Sequence, residues 1–297
     1  MYARALTLRV SWVTVSSKRS RQRGSVNGSD LPHGEVQTDF STVTLTPDPG
    51  NTSRVTLYID GVPSSHIDLE DPTHLEFKYM QWMAGMLNAW FAPDRGLRVM
   101  HLGAAGCTMA RYINATRPTS HQLALEVDSK LAQFCRQWFD LPRAPQLRIR
   151  IEDGRTALNT SAPQRWEVII RDAFVDSQVP NDLTSFQAVS QVHRALTPDG
   201  IYLANCADFP PLPLARREVA TLAQFFGKNI MITAEPGVFS GRRHGNVIIL
   251  AAKDHDRLSE VSARIGRNLR TSSIPARLIT ARELEVFAAG ATPFSDD

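Results

Sequence analysis

Leu97-Arg98-Val99-Met100-His101-Leu102-Gly103-Ala104-Ala105-Gly106 is an apolar run that ends in a turn of small residues. A helix-like segment, Thr108 to Asn114, follows it directly. Gln122-Leu123-Ala124-Leu125-Glu126 is a second apolar run that closes on an acid, about 20 residues past the turn. This order suits a nucleotide lying over the first strand-to-helix turn. Small residues let the backbone approach the ligand, and a carboxylate at the next strand tip accepts hydrogen bonds from a ribose diol. The alternative is a plain strand-helix-strand crossover whose acid caps a strand.

Working outward, apolar runs recur at 97–101, 122–126, 147–152, 168–172, 200–206, 229–234 and 246–251. Amphipathic stretches separate the first five, which predicts right-handed crossovers and a parallel sheet. Only the Pro/Gly/Arg-rich loop Glu235 to Gly245 separates the last two. It is too short for a crossover helix, so the seventh strand is expected to run antiparallel to its neighbour. The fold class expected is therefore α/β, a seven-stranded, mostly parallel, Rossmann-like sheet. A final reversed pair of strands resembles the class I fold of S-adenosylmethionine-dependent methyltransferases.

Before the sheet, Arg54 to Ile59 alternates and ends at Asp60-Gly61, a hairpin signal, with Val62 to Leu69 as the returning strand. Asp71-Pro72-Thr73 is expected to open a helix in which Leu75, Tyr79, Trp82, Met83, Met86, Leu87 and Trp90 recur at helical spacing, stopping before Pro93. Four segments result. Residues 1–50 read as a poorly ordered arm, because Ser, Arg, Gly, Asn, Asp and Pro dominate from Ser16 to Asn51. Residues 51–74 form a small β-hairpin region, and 75–252 a nucleoside-binding Rossmann-like catalytic domain. Residues 253–297 read as a helical extension with a frayed acidic end.

Composition narrows the class. The 297 residues are 42% hydrophobic and 21% charged, with a net charge of +3, an ordinary globule with a sizeable core. Lys18, Arg19, Arg21 and Arg23 cluster without interleaved aromatics, so the arm reads as solvated and no nucleic-acid partner is expected. No apolar run is long enough to span a bilayer, so no membrane partner is expected, and the opening residues lack a cleavage signature. Cys107, Cys135 and Cys206 are odd in number and scattered, which fits neither a disulfide framework nor a zinc cluster and points to the reducing cytoplasm. The histidines show no metal-ligand spacing, so no metal is expected.

Open α/β sheets bind ligands beyond the carboxyl ends of their strands. Four such tips carry polar groups here. Gly103, Ala104 and Gly106 line the first turn, and Glu126 ends the second strand. Asp153 and Gly154 follow the third. A carboxylate there accepts from an exocyclic adenine amine and glycine lets the base stack on the backbone; an Asp-Gly turn is the alternative. Asp172 ends the very apolar run Val168-Ile169-Ile170. A part-buried carboxylate at that place is suited to deprotonate and aim an amine attacking a sulfonium carbon. Capping of the next helix is the alternative. Gly241-Arg242-Arg243-His244-Gly245 is a basic loop, solvated unless its hairpin folds over the site mouth.

The order of these motifs resembles the polyamine aminopropyltransferases, or spermidine synthase-like proteins, from about Val55 to Lys253. The resemblance rests on Leu75-Glu76-Phe77-Lys78-Tyr79, Leu102 to Gly106, Leu125-Glu126-Val127-Asp128, Glu152 to Arg155, Trp166 to Asp172 and Leu196 to Ile201. It implies Glu126 on the ribose, Asp153 and Gly154 on the adenine, Asp172 as catalytic base, and Tyr79, Gln81 and Asp176 on the substrate side. It further implies decarboxylated S-adenosylmethionine as the donor co-substrate, a small amine such as putrescine as acceptor, and a homodimer. Intact S-adenosylmethionine used by a methyltransferase, or nucleoside binding without catalysis, are the alternatives. The chain departs from the family in two places. Gly106 stands where the family's first turn carries an acid, and the second acid after the fourth strand, Asp176, is displaced by one residue.

Overall fold

Seven strands form where the apolar runs lie: β5 (Arg98–Leu102), β6 (His121–Glu126), β7 (Leu147–Ile151), β8 (Trp166–Arg171), β9 (Leu196–Asp208), β10 (Ile230–Ala234) and β11 (Gly245–Ala252). They belong to a computed structural model that describes residues 31–175, 178–271 and 275–296. An eighth strand, β12 (Arg277–Thr280), completes the order β12-β10-β11-β9-β8-β5-β6-β7. Strands β5 to β9 pair in parallel. Strand β11 runs antiparallel to both β9 and β10, which is the reversal expected from the short connecting loop.

The inner strands are buried on both sides and read as continuous apolar runs, whereas the edge strand β7 alternates with exposed arginines. On one face Met100, Leu102, Ile169 and Ala204 pack against α4 (Gly154–Thr160), α5 (Phe186–Ala195), α6 (Pro213–Phe226) and α9 (Ala281–Ala288). On the other, Val99, Val168, Ile170 and Leu203 meet α1 (Lys78–Trp90), α2 (Thr108–Thr116) and α8 (His255–Thr271). The alternation along these strands thus feeds a core on each face, and Ala124 of β6 and Leu147 of β7 join a third with the small sheet.

The linking helix begins at Lys78, later than its expected start at Asp71. Asp71 instead closes a local turn, accepting from the Thr73 N–H and hydroxyl at 2.9 and 2.6 Å. Leu75 is buried ahead of the helix rather than within it, which is why its spacing read as helical. Trp82 and Trp90 are core residues, and the Trp90 indole donates to the Asp199 carbonyl at 2.9 Å.

The expected hairpin is part of a larger unit. Strands β1 (Glu35–Gln37), β2 (Thr42–Asp48), β3 (Asn51–Ile59) and β4 (Val62–Asp68) make a four-stranded antiparallel sheet. Asp60 and Gly61 take φ of 49° and 78° at the β3-β4 turn, the left-handed pair that a two-residue hairpin turn requires. Residues 31–50 therefore do not belong to a poorly ordered arm. Val43 alternates with polar neighbours and is fully buried, and Leu31 is buried with it; the Ser/Asp-rich composition hid this period of two. Residues 1–30 lie outside the described residues.

The C-terminal segment also differs from expectation. Strand β12 pairs with β10, and Phe294 is buried, its N–H donating to Thr221 Oγ1 at 2.8 Å. Asp296 bridges Arg155 at 2.6 Å. One strand, one apolar anchor and one ion pair fasten an end whose acidic composition suggested fraying.

Candidate active site

Gly103 leaves β5 with φ +88°, and a Cβ there would lie 2.6 Å from the carbonyl oxygen of Asp172. Only glycine fits a left-handed residue pressed against the next strand's backbone. The turn stays tight, with Ala105 at φ 38° and Cys107 at φ 58°, and delivers the chain into α2. Ala104 is partly buried, and its carbonyl accepts from the Cys107 N–H at 2.7 Å. Gly106 has a different use. Its N–H donates to Ser65 Oγ at 3.0 Å, and an added Cβ would sit 2.7 Å from Ser65 and Ile67. Its smallness seats strand β4, so the structure turns this residue toward the small sheet rather than the rim.

Glu126 ends β6 beside this turn. The Ala105 N–H donates to Oε2 and the Asp128 N–H to Oε1, each at 3.1 Å. Loss of water raises the carboxyl above its ordinary range, and the backbone donors oppose that rise. A carboxylate oxygen has room for a second donor, so both oxygens retain acceptor capacity for a pair of vicinal hydroxyls.

Asp153 caps α4, Oδ1 accepting from the Thr156 N–H at 2.8 Å. The cap occupies Oδ1 of an exposed side chain, a use distinct from the Asp-Gly turn expected as the alternative. A Cβ on Gly154 would stand 3.3 Å from Leu183, a close approach of loop to helix. Between the two acids, Val127 and Ile151 expose 52% and 50% of their surface at adjacent strand tips, a ledge on which an apolar ring face can rest.

Asp172 follows β8 and is partly buried. Its Oδ2 accepts from the Tyr79 hydroxyl at 2.8 Å and its Oδ1 from the Asn205 amide at 2.9 Å. Removal from water drives the carboxyl up, while these two donors and the neighbouring Arg171 charge pull it down. The same environment holds the Tyr79 phenol well above its usual value. Asn205 is the member that sequence reasoning missed. Its signal is an amide inside the apolar run Gly200 to Cys206, and its Oδ1 is buried without a hydrogen-bond partner among the described residues.

Beneath this group the fully buried Arg171 donates to the Asn205 carbonyl at 3.1 Å and pairs with Glu218. Gln81 is not brought to the group. Two positions beyond Tyr79 on a helix it faces away, and its amide donates to the Leu75 carbonyl at 2.6 Å. It lines a groove between α1 and α8 instead, with Trp82, Met86 and Ile265. Asp176 lies outside the described residues.

A crystal structure of a probable spermidine synthase from Corynebacterium glutamicum superposes on this chain with a TM-score of 0.83. It is 35% identical, covering 90% of this chain and 97% of that one. The chain belongs to the spermidine synthase-like family. A polyamine aminopropyltransferase of Chromobacterium violaceum is 26% identical over 217 residues, 72% of this spermidine synthase-like chain and 77% of the relative. Human methyltransferase-like protein 13, solved in complex with SAH, matches at 19% identity, with a TM-score of 0.53 over 66% of this chain and 94% of that one; at that identity the likeness is one of fold. No protein-family model matches the chain.

Proposed function

We propose that this spermidine synthase-like protein transfers the aminopropyl group of decarboxylated S-adenosylmethionine to a primary amine, with Asp172 as general base. The observation that carries the reading is the shared rim: Glu126 with open acceptor sites at one end, and Asp172 between Tyr79 and Asn205 at the other. The adenosine would lie across the Gly103 turn, its ribose hydroxyls on Glu126 and its base on the Val127–Ile151 ledge beside Asp153 and Gly154.

The chemistry follows from that placement. The acceptor nitrogen attacks the methylene carbon attached to sulfur. A C–N bond forms, the C–S bond breaks, and its electron pair returns to sulfur, leaving neutral methylthioadenosine. The proton shed by nitrogen passes to Asp172. A carboxylate raised by burial holds a proton better than a solvated one, which suits a general base. Asn205, whose amide donates to Asp172 Oδ1 at 2.9 Å, would hold that carboxylate in the orientation the amine meets. The reading extends to a cytoplasmic homodimer; no helix of the described residues is long and apolar enough to cross a membrane.

A methyl transfer from intact S-adenosylmethionine is the second reading. One observation favours it: Gly106, where the family's acid stands, has its Cβ space filled by Ser65 and Ile67, so the turn holds no counter-charge for the donor's amine at that position. Calorimetry with decarboxylated and intact S-adenosylmethionine, followed by mass analysis of products with putrescine, separates the two. Aminopropyl transfer requires tighter binding of the decarboxylated form and a product heavier by one aminopropyl unit. Tighter binding of the intact form with methylated product would establish the other.

A further inference from the structure

The basic loop after β10 lies at the same edge of the sheet as Asp172. Strand register places Gly245 opposite Asp208, three positions beyond Asn205, or about 10 Å along the strand from the residue that holds Asp172. From above, the first residues of α1 span the same tips. Tyr79 reaches Asp172, and Lys78 reaches Glu235 at 3.3 Å. Glu235 also pairs with Arg243, whose side chain lies over Gly237. The His244 ring stands 5.1 Å from that of Phe209, which is 67% exposed. The loop and the start of α1 thus form one wall of the acceptor side.

The charges on that wall do not suit a diamine. Asp208 is buried and accepts from the Phe209 and Ala215 N–H groups at 2.8 and 2.9 Å. Glu235 is matched by two cations. Arg242 is exposed and has no carboxylate within ion-pair distance among the described residues. Among the described residues of this wall, Lys78, Arg242 and Arg243 against Glu235 leave a net positive charge, whereas the second ammonium of a diamine needs a negative partner. A site lined by one sign of charge draws in the opposite sign and repels its own.

We propose that the acceptor is a primary amine that carries an anionic group, a carboxylate on the far end of its chain. The amine meets Asp172 and the carboxylate meets the Lys78–Arg242–Arg243 wall. This rests on the aminopropyl-transfer reading and narrows its substrate. The reaction is unchanged: the amine nitrogen takes the aminopropyl carbon, sulfur keeps the electron pair, and the nitrogen's proton goes to Asp172.

The test measures methylthioadenosine release from decarboxylated S-adenosylmethionine by the full chain. Putrescine and cadaverine are compared with δ-aminovalerate and ε-aminocaproate, and Arg242→Glu is run beside the native protein. The proposal expects kcat/KM for the amino acids to exceed that for the diamines by about 10-fold or more, and the preference to shrink in high salt as the wall is screened. Arg242→Glu should reduce the preference by about 10-fold, the scale of one displaced charge contact. A higher kcat/KM for putrescine than for either amino acid overturns the proposal while leaving aminopropyl transfer intact. So does a preference that Arg242→Glu and Lys78→Ala both leave unchanged. Methylthioadenosine binding without release in the presence of any of the four amines overturns both readings.

Discussion

The Tyr79 hydroxyl donates to Asp172 Oδ2 at 2.8 Å, joining the start of the linking helix to the tip of the fourth strand of the large sheet. The bond stabilises the ionised carboxylate against a burial that favours the neutral acid. Asp172 must be ionised to act as base, so kcat/KM is expected to rise with pH through a carboxyl group titrating above its ordinary range. Tyr79→Phe removes one donor, raises that carboxyl further, and moves the acidic limb of the profile to higher pH. At neutral pH it should also lower kcat/KM by about 10-fold or more, since a hydrogen bond to a charged group is worth about 1.5–3 kcal/mol. A profile that stays in place or moves to lower pH would remove Tyr79 from this role.

Gly103→Ala should destabilise the protein and weaken nucleoside binding together. The new methyl meets the Asp172 carbonyl at 2.6 Å, and φ +88° is foreign to alanine; backbone strain of that kind costs about 1–3 kcal/mol before the clash is added. Denaturant titration and methylthioadenosine calorimetry on the same variant measure both losses. A variant of native stability would show that the turn has room the geometry denies.

Asp128 joins the two sheets. It accepts from the Leu131 N–H at 2.8 Å as the cap of α3 (Ser129–Trp138), and from the Asp39 and Phe40 N–H groups at 3.2 Å. Asp128→Ala is therefore expected to cost at least the roughly 1–2 kcal/mol of a lost cap. Deleting residues through Gly50 should lower Tm, because Leu31 and Val43 leave the core with it. Unchanged melting of the deletion would mean that β1 and β2 contribute nothing to the fold.

Glu218→Ala strands the Arg171 guanidinium, fully buried beneath Asn205. Breaking such a pair from one side costs about 3–5 kcal/mol, read as a shift of the denaturation midpoint. A loss within the range of a surface substitution would show that water reaches Arg171.

Much of this was legible in the chain because buried parallel strands must be continuous apolar runs. Val168 to Asp172 announces both a strand and an acid at its tip, and the seven runs announced seven strands with a reversed final pair. Strand β12 escaped notice since Arg277 to Thr280 is short and half polar, an edge strand covered on one side. The Thr42 to Asp48 strand was masked by its polar neighbours. Within the site, Glu126 and Asp172 stand where strand ends put them. Asn205 looked like one polar interruption in a strand, and Gln81 looked equivalent to Tyr79 until helical rotation set them on different faces. Gly106 shows the limit most sharply: a glycine beside a nucleotide turn invites a ligand, yet here it makes room for Ser65.

The most direct test of the central claim is single-turnover release of methylthioadenosine from decarboxylated S-adenosylmethionine, with a primary amine acceptor (putrescine or δ-aminovalerate) in excess, by the native protein and by Asp172→Asn, with methylthioadenosine affinity measured for both. Asp172 as general base predicts release by the native protein and a fall of about 10²–10⁴-fold in the variant, with affinity unchanged within a few-fold. Equal rates in the two proteins, or release by neither when both bind the nucleoside, would contradict it.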